Sequence, residues 1–378
     1  MNNYSYTIAQ LGDNAYLMPY GQAIADHRKT ITTNEAGVLL WNAFVQGASF
    51  DDMLALLKDT YEASDDELPI LSQDLQLFMD SLAQNGISLQ SVSPQSGYPT
   101  TNVSIGPVGL CIHAPEALIS AYFTPFVSNA SDCCQELHIL PFAPLTKPNG
   151  QILMRSTDII IFETSDSYVY LPTQSTYIHE MHITKDARKA YLYADMRTAC
   201  DLLWDELFHI IRSAFLMAAQ TQDLLIVHSA SILYNNKAYL FSGHSGAGKS
   251  THTNLWAKHF DTPLLNGDLN MLGILDGQAV CYGLPWCGTS NICTNKTYPF
   301  GGITYLFQDT TNKAQRLSYD ESVLQLTKRC INPSQTEKQL QHTFAIAAAL
   351  CKLQPSFELY CTKDIEAAEV MRTTIDNT

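Results

Sequence analysis

The spacing of apolar positions predicts helices in the first quarter of the chain. Between residues 33 and 86, apolar side chains recur every three to four positions, which is the period of a helix buried on one face. The predicted helices begin within Thr32–Glu35, at Ser49 and at Pro69, and glycines at positions 47 and 86 end the first and the third. Thr32 and Glu35 have the spacing of a capping box, so Thr32 is the expected N-cap of the first helix.

Shorter apolar runs on either side of these helices predict strands and a boundary. Ala15–Met18 and Gln22–Ala25 are expected to pair as a hairpin, and a short wing is expected after the third helix. Residues 91–101 are rich in Ser, Pro and Gly, which is typical of a linker. We therefore divide the chain into a small domain at 1–92, a linker at 93–102, a mixed α+β region at 103–222 and an α/β core at 223–378.

The mixed region and the core differ in their patterns. Within 103–222, the runs Asp158–Phe162 and Tyr168–Leu171 predict a hairpin, Lys189–Tyr193 predicts a strand, and Asp201–Ala219 predicts a long helix. This region either forms its own domain or completes the core. In the core, strands are predicted at 224–228, 238–241, 263–265, 269–272, 279–282 and 303–307, and helices at 320–330, 337–351 and 364–374. The excess of strands favours a mixed sheet over regular strand–helix alternation.

Composition narrows the class of protein. The 378 residues are 46% hydrophobic and 16% charged, which fits a packed globular protein of two or three domains. The longest candidate for a membrane segment, Phe344–Leu350, is too short to span a bilayer, and the first ten residues do not resemble a signal peptide. We therefore expect a cytoplasmic location, with the 10 cysteines as free thiols.

Charge further restricts the partners. The net charge of -15 argues against nucleic acid, whose phosphates require basic residues. Residues 1–92 hold twelve acidic and three basic side chains. Such a domain favours a basic partner, for example a peptide.

The run from Gly243 to Ser250 matches the phosphate-binding pattern G-x-x-x-x-G-K-[ST] at every fixed position. It follows the apolar run Ala238–Phe241 and precedes a predicted helix at 250–259, so the context is that of an anion site at a helix N-terminus. The pattern predicts ATP binding, with Lys249 at the terminal phosphates. The expected nucleotide contacts are Gly243, His244, Ser245, Gly246, Ala247, Gly248, Lys249, Ser250 and Thr251.

Two further polar residues complete the predicted catalytic set. Asp268 follows an apolar strand nineteen residues after Lys249, where an acid would hold Mg²⁺ together with the Ser250 hydroxyl. His228 lies in the strand before the loop and could relay a proton or touch a phosphate. Either Asp268 or His228 could accept the proton of the substrate hydroxyl.

Tyr282–Asn291 is interpreted as a loop that contacts the substrate, with Trp286 exposed. The nearest cations in sequence that could neutralise a transferring phosphoryl group are Lys296 and Arg316. Cys281, Cys287 and Cys293 recur every six residues, which is not the C-x-x-C spacing of a zinc site.

His228–Ser231, the glycine loop and Leu264–Asp268 together resemble the HPr kinase/phosphorylase superfamily, which is related to the phosphoenolpyruvate carboxykinase fold. The resemblance covers about residues 220–310 and implies an ATP- and Mg²⁺-dependent kinase acting on a serine hydroxyl of a protein or peptide. Two positions depart from the family pattern. Gly267 and Asp268 stand where the family has paired acids, and the region Pro285–Ser290 lacks the family's Arg.

Thr33–Trp41 resembles the first helix of PqqD-like domains, the RiPP recognition elements, which have a winged-helix topology. The resemblance implies that residues 1–92 bind the leader of a ribosomally made precursor peptide. The combined hypothesis is a kinase that phosphorylates a Ser or Thr hydroxyl of that peptide, with homo-oligomeric assembly left open. The alternatives are an ATP-binding adaptor without kinase activity, ATP-dependent activation of the peptide for dehydration or cyclisation, and a small-molecule kinase.

Overall fold

The chain forms two compact units, each with its own hydrophobic core. The computed structural model describes residues 6–12, 14–25, 28–46, 48, 50–85, 87, 96–129, 132–141, 150–197 and 199–378. The first unit lies within residues 6–87, and the second comprises residues 96–141 and 150–378. Helices and several sheets occur together, so the expected mixed α/β class is confirmed.

The first unit is a small antiparallel sheet followed by helices. Its strands are β1 (Tyr6–Leu11), β2 (Asn14–Pro19) and β3 (Ile31–Thr33), paired in that order. Its helices are α1 (Gln22–Ala25), α2 (Glu35–Val45), α3 (Phe50–Thr60) and α4 (Leu68–Gln84). The apolar faces of α2, α3 and α4 pack with the inner face of the sheet around Trp41, Phe44 and Leu75. The three predicted helices are therefore confirmed.

Two predictions in the first unit are wrong. Gln22–Ala25 is a helix, and β2 pairs with β1 and β3 instead. The turn that joins β1 to β2 begins at Gly12, whose φ of +60° suits a tight hairpin turn. The N-cap of α2 is Asn34, whose side chain accepts a hydrogen bond from the Gly37 N–H at 2.9 Å. Thr32 cannot cap the helix because it belongs to β3. Ser49 and the two stop glycines lie outside the described residues, as does most of the segment expected to form a wing.

The second unit begins with a sheet of eight strands in the described chain. They are β4 (Thr100–Ile105), β5 (Val108–His113), β6 (Gln135–Pro141), β7 (Gln151–Arg155), β8 (Ile159–Glu163), β9 (Ser167–Pro172), β10 (Ile178–Thr184) and β11 (Lys189–Ala194). Their order is β4-β5-β6-β11-β10-β9-β8-β7, with β5, β6 and β11 parallel to one another. The predicted hairpin of β8 and β9 is confirmed, as is the strand β11.

Two helices accompany this sheet, α5 (Glu116–Tyr122) and the long α6 (Asp201–Thr221), which was predicted. One side of the sheet is apolar, and its buried side chains share a single core with α5 and α6. That core continues into the following strands through residues such as Ile226 and Met271. Residues 103–222 and the strands after them are thus packed together.

A second sheet carries the glycine loop. Its strands are β12 (Leu225–Tyr234), β13 (Lys237–Ser242), β14 (Leu264–Asn266), β15 (Leu269–Leu275), β16 (Gln278–Tyr282), β17 (Thr297–Gln308), β18 (Lys313–Arg316) and β19 (Ser356–Cys361). The helices are α7 (Lys249–Phe260), α8 (Tyr319–Arg329), α9 (Glu337–Leu353) and α10 (Ile365–Asp376). β13 pairs with β12 antiparallel and with β17 parallel, so the sheet is mixed, as expected. Among the described helices, none has the length and hydropathy needed to cross a membrane.

Candidate active site

The glycine loop lies between a buried strand and a helix. β13 ends at Ser242, and α7 begins at Lys249, so the predicted strand–loop–helix order is confirmed. Gly246 and Gly248 have φ of +78° and +102°, a left-handed backbone that residues with a Cβ rarely adopt. These two glycines let the chain turn directly into the helix. The first N–H groups of α7 have no acceptor within the helix and are available to an anion.

Hydrogen bonds hold the loop in shape. The Ala247 N–H donates to the His244 carbonyl at 3.0 Å, and the Gln308 side-chain amide donates to the Gly246 carbonyl at 2.8 Å. The side chains predicted to face the nucleotide are solvent-exposed at His244, Ser245, Ser250 and Thr251. The loop is therefore ordered by its backbone, while its polar side chains stay accessible.

Lys249 is half-buried at the start of α7. Its Nζ lies 3.5 Å from the Gly243 carbonyl oxygen, so the side chain folds back over the loop. Burial lowers the pKa of Lys249, and the nearby Arg329 adds to this effect, while the Asp268 carboxylate opposes it. A half-buried cation beside a second cation favours an incoming anion, since the anion would replace lost hydration.

Asp268 and His228 form a pair beside this lysine. Oδ1 of Asp268 lies 3.1 Å from Nε2 of His228. The pair is fixed through the backbone, because the Ser229 N–H donates to the Asp268 carbonyl at 2.9 Å. The Asp268 N–H also donates to the Asn266 side-chain oxygen at 2.8 Å. The structure thus brings together three residues that were predicted from separate segments of the chain.

The electrostatic surroundings of Asp268 favour its ionised form. The hydrogen bond from His228 holds the pKa of Asp268 below its usual value, and the charges of Arg212 and Lys249 lower it further, against the effect of burial. Asp268 is therefore a carboxylate at neutral pH. A carboxylate of this kind can bind a hard cation or accept a hydrogen bond from a substrate hydroxyl.

Two arginines near the site were not predicted from the sequence. Arg212 lies on α6 and Arg329 at the last position of α8, and each is coupled electrostatically to a site residue, Arg212 to Asp268 and Arg329 to Lys249. A guanidinium nitrogen of Arg329 lies 3.5 Å from Nδ1 of His244 in the loop. No short motif marks either arginine, because both reach the site only through the packing of distant helices.

The cations expected from sequence, Lys296 and Arg316, are exposed. Within the described part of the chain, no hydrogen bond or ion pair links either side chain to Asp268 or to the glycine loop. Proximity in sequence was a poor guide here, since Arg316 lies on β18 and pairs through its backbone with Phe357 of β19.

The loop after β16 lies against Asp268. A Cβ on Gly288 would be 3.0 Å from the Cβ of Asp268, so glycine permits this close approach. The expectation that Trp286 is exposed is wrong, because only 2% of its surface is accessible. Its indole N–H donates to the Phe208 carbonyl at 3.0 Å, and its ring packs on Phe215 with centroids 5.0 Å apart. Trp286 anchors the loop to α6, so its position is structural.

Comparisons with known proteins add little to this geometry. Neither the scan against protein-family models nor the search of curated proteins found a match. Among solved structures, the chain is similar to the Hpr(Ser) kinase/phosphatase from Coxiella burnetii, with 11% sequence identity and a TM-score of 0.25. The alignment covers 40% of this chain and 88% of that one. At this level of similarity the alignment assigns no function to the chain.

Proposed function

We propose that this chain is an ATP- and Mg²⁺-dependent kinase that phosphorylates a hydroxyl group of a peptide. The observation that carries the proposal is the arrangement around the N-terminus of α7. A glycine loop, the half-buried Lys249 and the Asp268 carboxylate, paired with His228, occur there together. Phosphoryl transfer needs mainly positioning and neutralisation of charge, and this set of groups supplies both.

The residues present fit a nucleoside triphosphate. The loop amides and Lys249 are suited to the β- and γ-phosphates. Arg329 adds a guanidinium, one nitrogen of which lies 3.5 Å from Nδ1 of His244 in the loop, so its positive charge is close to the expected position of the phosphates. Arg212 adds a further positive charge near Asp268. The cationic groups would balance the phosphates, whose negative charge exceeds what one lysine can neutralise.

The donor set also fits magnesium. The hydroxyl of Ser250 and the carboxylate of Asp268 are hard oxygen ligands of the kind that Mg²⁺ prefers. When bound there, the ion would neutralise charge that develops on the phosphate oxygens. His228 would hold Asp268 in place through its 3.1 Å contact. The Asp268–His228 pair would accept the proton that the attacking hydroxyl loses, with either residue as the immediate acceptor.

Peptide recognition is assigned to the first unit. β3 pairs only with β2 among the described strands, so it offers a free edge to which an extended peptide could add as a strand. A groove of about 700 Å³ lies between β3, α2, α3 and α4, with Leu40, Tyr61 and Leu77 in its lining. Leu77 is 61% exposed there, and such an exposed apolar side chain suits a partner's apolar residue.

The charge of the first unit is a second reason to propose that it binds a peptide. The surplus of acidic over basic residues in positions 1–92 favours a basic peptide as the ligand. Holding one part of a peptide on this unit would raise the effective concentration of its acceptor hydroxyl at the active site.

The test uses the full chain, Mg-ATP and an array of synthetic peptides that carry basic and apolar residues together with Ser or Thr. We expect a mass gain of one phosphate on some peptides, with matching release of ADP. Lys249→Ala should reduce transfer by about 100- to 1,000-fold, because it removes a charge that stabilises the transition state. Lys237→Ala, at an exposed lysine where β13 begins, is the matched control and should retain activity.

Other outcomes separate the alternatives. ATP binding without any ADP would identify an adaptor, and loss of water from the peptide in place of phosphate gain would identify activation for dehydration. Transfer to small hydroxyl compounds but not to peptides would identify a small-molecule kinase. Absence of nucleotide binding in calorimetry would rule out the proposed function as a whole.

A further inference from the structure

A second cluster of metal-ligating side chains lies on the eight-stranded sheet, on the neighbouring strands β5 and β6. Glu136 and His138 are two residues apart on β6, so their side chains share one face of the sheet. His113 of β5 is the register partner of His138. The Nε2 atoms of His113 and His138 lie 3.2 Å and 3.3 Å from Oε1 of Glu136.

We propose that His113, Glu136 and His138 bind a divalent transition-metal ion, for which Zn²⁺ is the best match. Zinc binds imidazole and carboxylate ligands at about 2.0–2.2 Å, which places neighbouring ligand atoms of a tetrahedral site about 3.3–3.5 Å apart. The two nitrogen–oxygen distances are close to that spacing, and all three ligand atoms lie within 4.8 Å of one another. Two histidines and one glutamate form a known donor set for zinc with one open position.

The neighbouring side chains keep the two imidazoles side by side, and on metal binding the rings would turn so that both Nε2 atoms face the ion. The rings of His113 and His138 stack with centroids 4.2 Å apart and an angle of 8°. Tyr191 of β11 is the register partner of His138 on the neighbouring strand, and its ring stacks with that of His138 at 5.4 Å. Nδ1 of His113 lies 3.0 Å from the Thr100 hydroxyl. That hydroxyl can accept a hydrogen bond from the Nδ1–H, and this tautomer leaves the Nε2 of His113 free to bind metal.

Metal entry requires one rearrangement of protons at His138. Its Nδ1 accepts a hydrogen bond from the Ser96 N–H at 3.4 Å, so in the metal-free protein its proton is on Nε2 and points to Glu136. When the ion binds, the Nε2 lone pair of His138 is used for the metal, and the proton of the neutral ring moves from Nε2 to Nδ1. A 3.4 Å contact is long and weak, so its loss opposes binding only slightly.

Access and selectivity follow from the surroundings. The Glu136 side chain is 36% exposed, while that of His138 is 5% exposed, so an ion would enter from the side of the carboxylate. The imidazole ligands favour zinc over magnesium, which prefers oxygen ligands only. This site is therefore chemically distinct from the oxygen ligands at Asp268, and the inference does not depend on the proposed kinase activity.

The same sheet provides a matched control. Glu180 and His182 of β10 also form a glutamate–histidine pair, with Nε2 of His182 3.1 Å from Oε1 of Glu180. No third histidine, cysteine or acidic ligand joins that pair among the described residues. It should bind zinc far more weakly than the three-ligand cluster.

The experiment titrates the metal-free full chain with ZnCl₂ against a chromophoric chelator and counts zinc per chain after gel filtration. Glu136→Gln and His113→Gln should each lose one equivalent of zinc, with affinity at that site lowered at least about 100-fold. This exceeds the 10- to 100-fold effect of losing an outer hydrogen-bond partner of a ligand. His182→Gln should retain the wild-type stoichiometry and affinity.

Equal zinc binding by the wild type, Glu136→Gln and His113→Gln would overturn the proposal, as would a wild type that binds no zinc. Circular dichroism of the metal-free variants checks that they fold. If they do not, zinc-soaked crystals of the wild-type protein decide the question by anomalous scattering. A peak between the two Nε2 atoms and the Glu136 carboxylate supports the site, and its absence there contradicts it.

Discussion

At the scale of single residues, His252 links the glycine loop to the stability of its unit. It lies in the first turns of α7, buried at 3% exposure, with its ring edge-on to Phe241 of β13. The indole N–H of Trp256 donates to its Nε2 at 3.2 Å. Burial lowers the pKa of His252 to about 4, so the folded protein keeps this ring neutral.

This burial predicts a pH dependence of stability. The unfolded chain takes up a proton below its ordinary pKa of 6.5, whereas the folded chain does so only near 4. Stability is therefore fully present above about pH 6.5 and falls as the pH drops toward 4, by at most about 1.4 kcal/mol per pH unit and about 3 kcal/mol in total.

Urea unfolding of the wild type and His252→Gln at several pH values measures the effect. A glutamine oxygen can still accept the Trp256 hydrogen bond, so the variant should keep the fold and lose most of this pH dependence. His209→Gln, an exposed substitution, is the control for loss of one histidine. The same slope in His252→Gln as in the wild type would show that His252 is not responsible.

At the scale of elements, local sequence signals predicted the presence of a helix better than they predicted its first residue. The apolar periodicity located α2, α3, α4 and α6, because each of them buries one continuous face. The cap of α2 was misplaced by two residues, since the Thr32–Glu35 spacing resembles a capping box that β3 makes impossible. Caps depend on where the preceding strand ends, and that is decided by pairing with β2.

The cap assignment is directly testable. Asn34→Ala should lower the free energy of unfolding of the first unit by about 1 kcal/mol, because the Gly37 N–H loses its acceptor. Thr32→Ala, at the position that the sequence pattern favoured, should change it by less than about 0.5 kcal/mol, since Thr32 is exposed on β3. Equal losses in both variants, measured by chemical denaturation, would argue against Asn34 as the cap.

At the scale of the whole molecule, the sequence located the glycine loop and Asp268 but not the groups supplied by α6. The loop motif is local and has a fixed order of glycines, so it could be predicted. Arg212 and the aromatic neighbours of Trp286 come from α5, α6 and the residues around them, dozens of positions earlier in the chain. Such contacts follow from packing between sheets, which no local pattern encodes.

The shared core predicts how the chain tolerates truncation. A chain of residues 96–378 retains the whole second unit and should fold and bind Mg-ATP. A chain that starts at residue 223 lacks α6, and with it the Phe208 carbonyl that accepts the Trp286 N–H and much of the core around Ile226. It should be unfolded by circular dichroism and should bind no nucleotide. Cooperative folding of that shorter chain would contradict the shared core.

The double pairing of β13 has a consequence for the amides that lead into the glycine loop. Lys237–Ser242 is bonded to β12 on one side and to β17 on the other, so it has no free edge along most of its length. The backbone amide protons of β13 should exchange with deuterated water only when the entire second unit opens, at rates set by global unfolding. The loop would then extend from one of the slowest-exchanging segments of the polypeptide, while its own exposed tip exchanges within seconds or minutes.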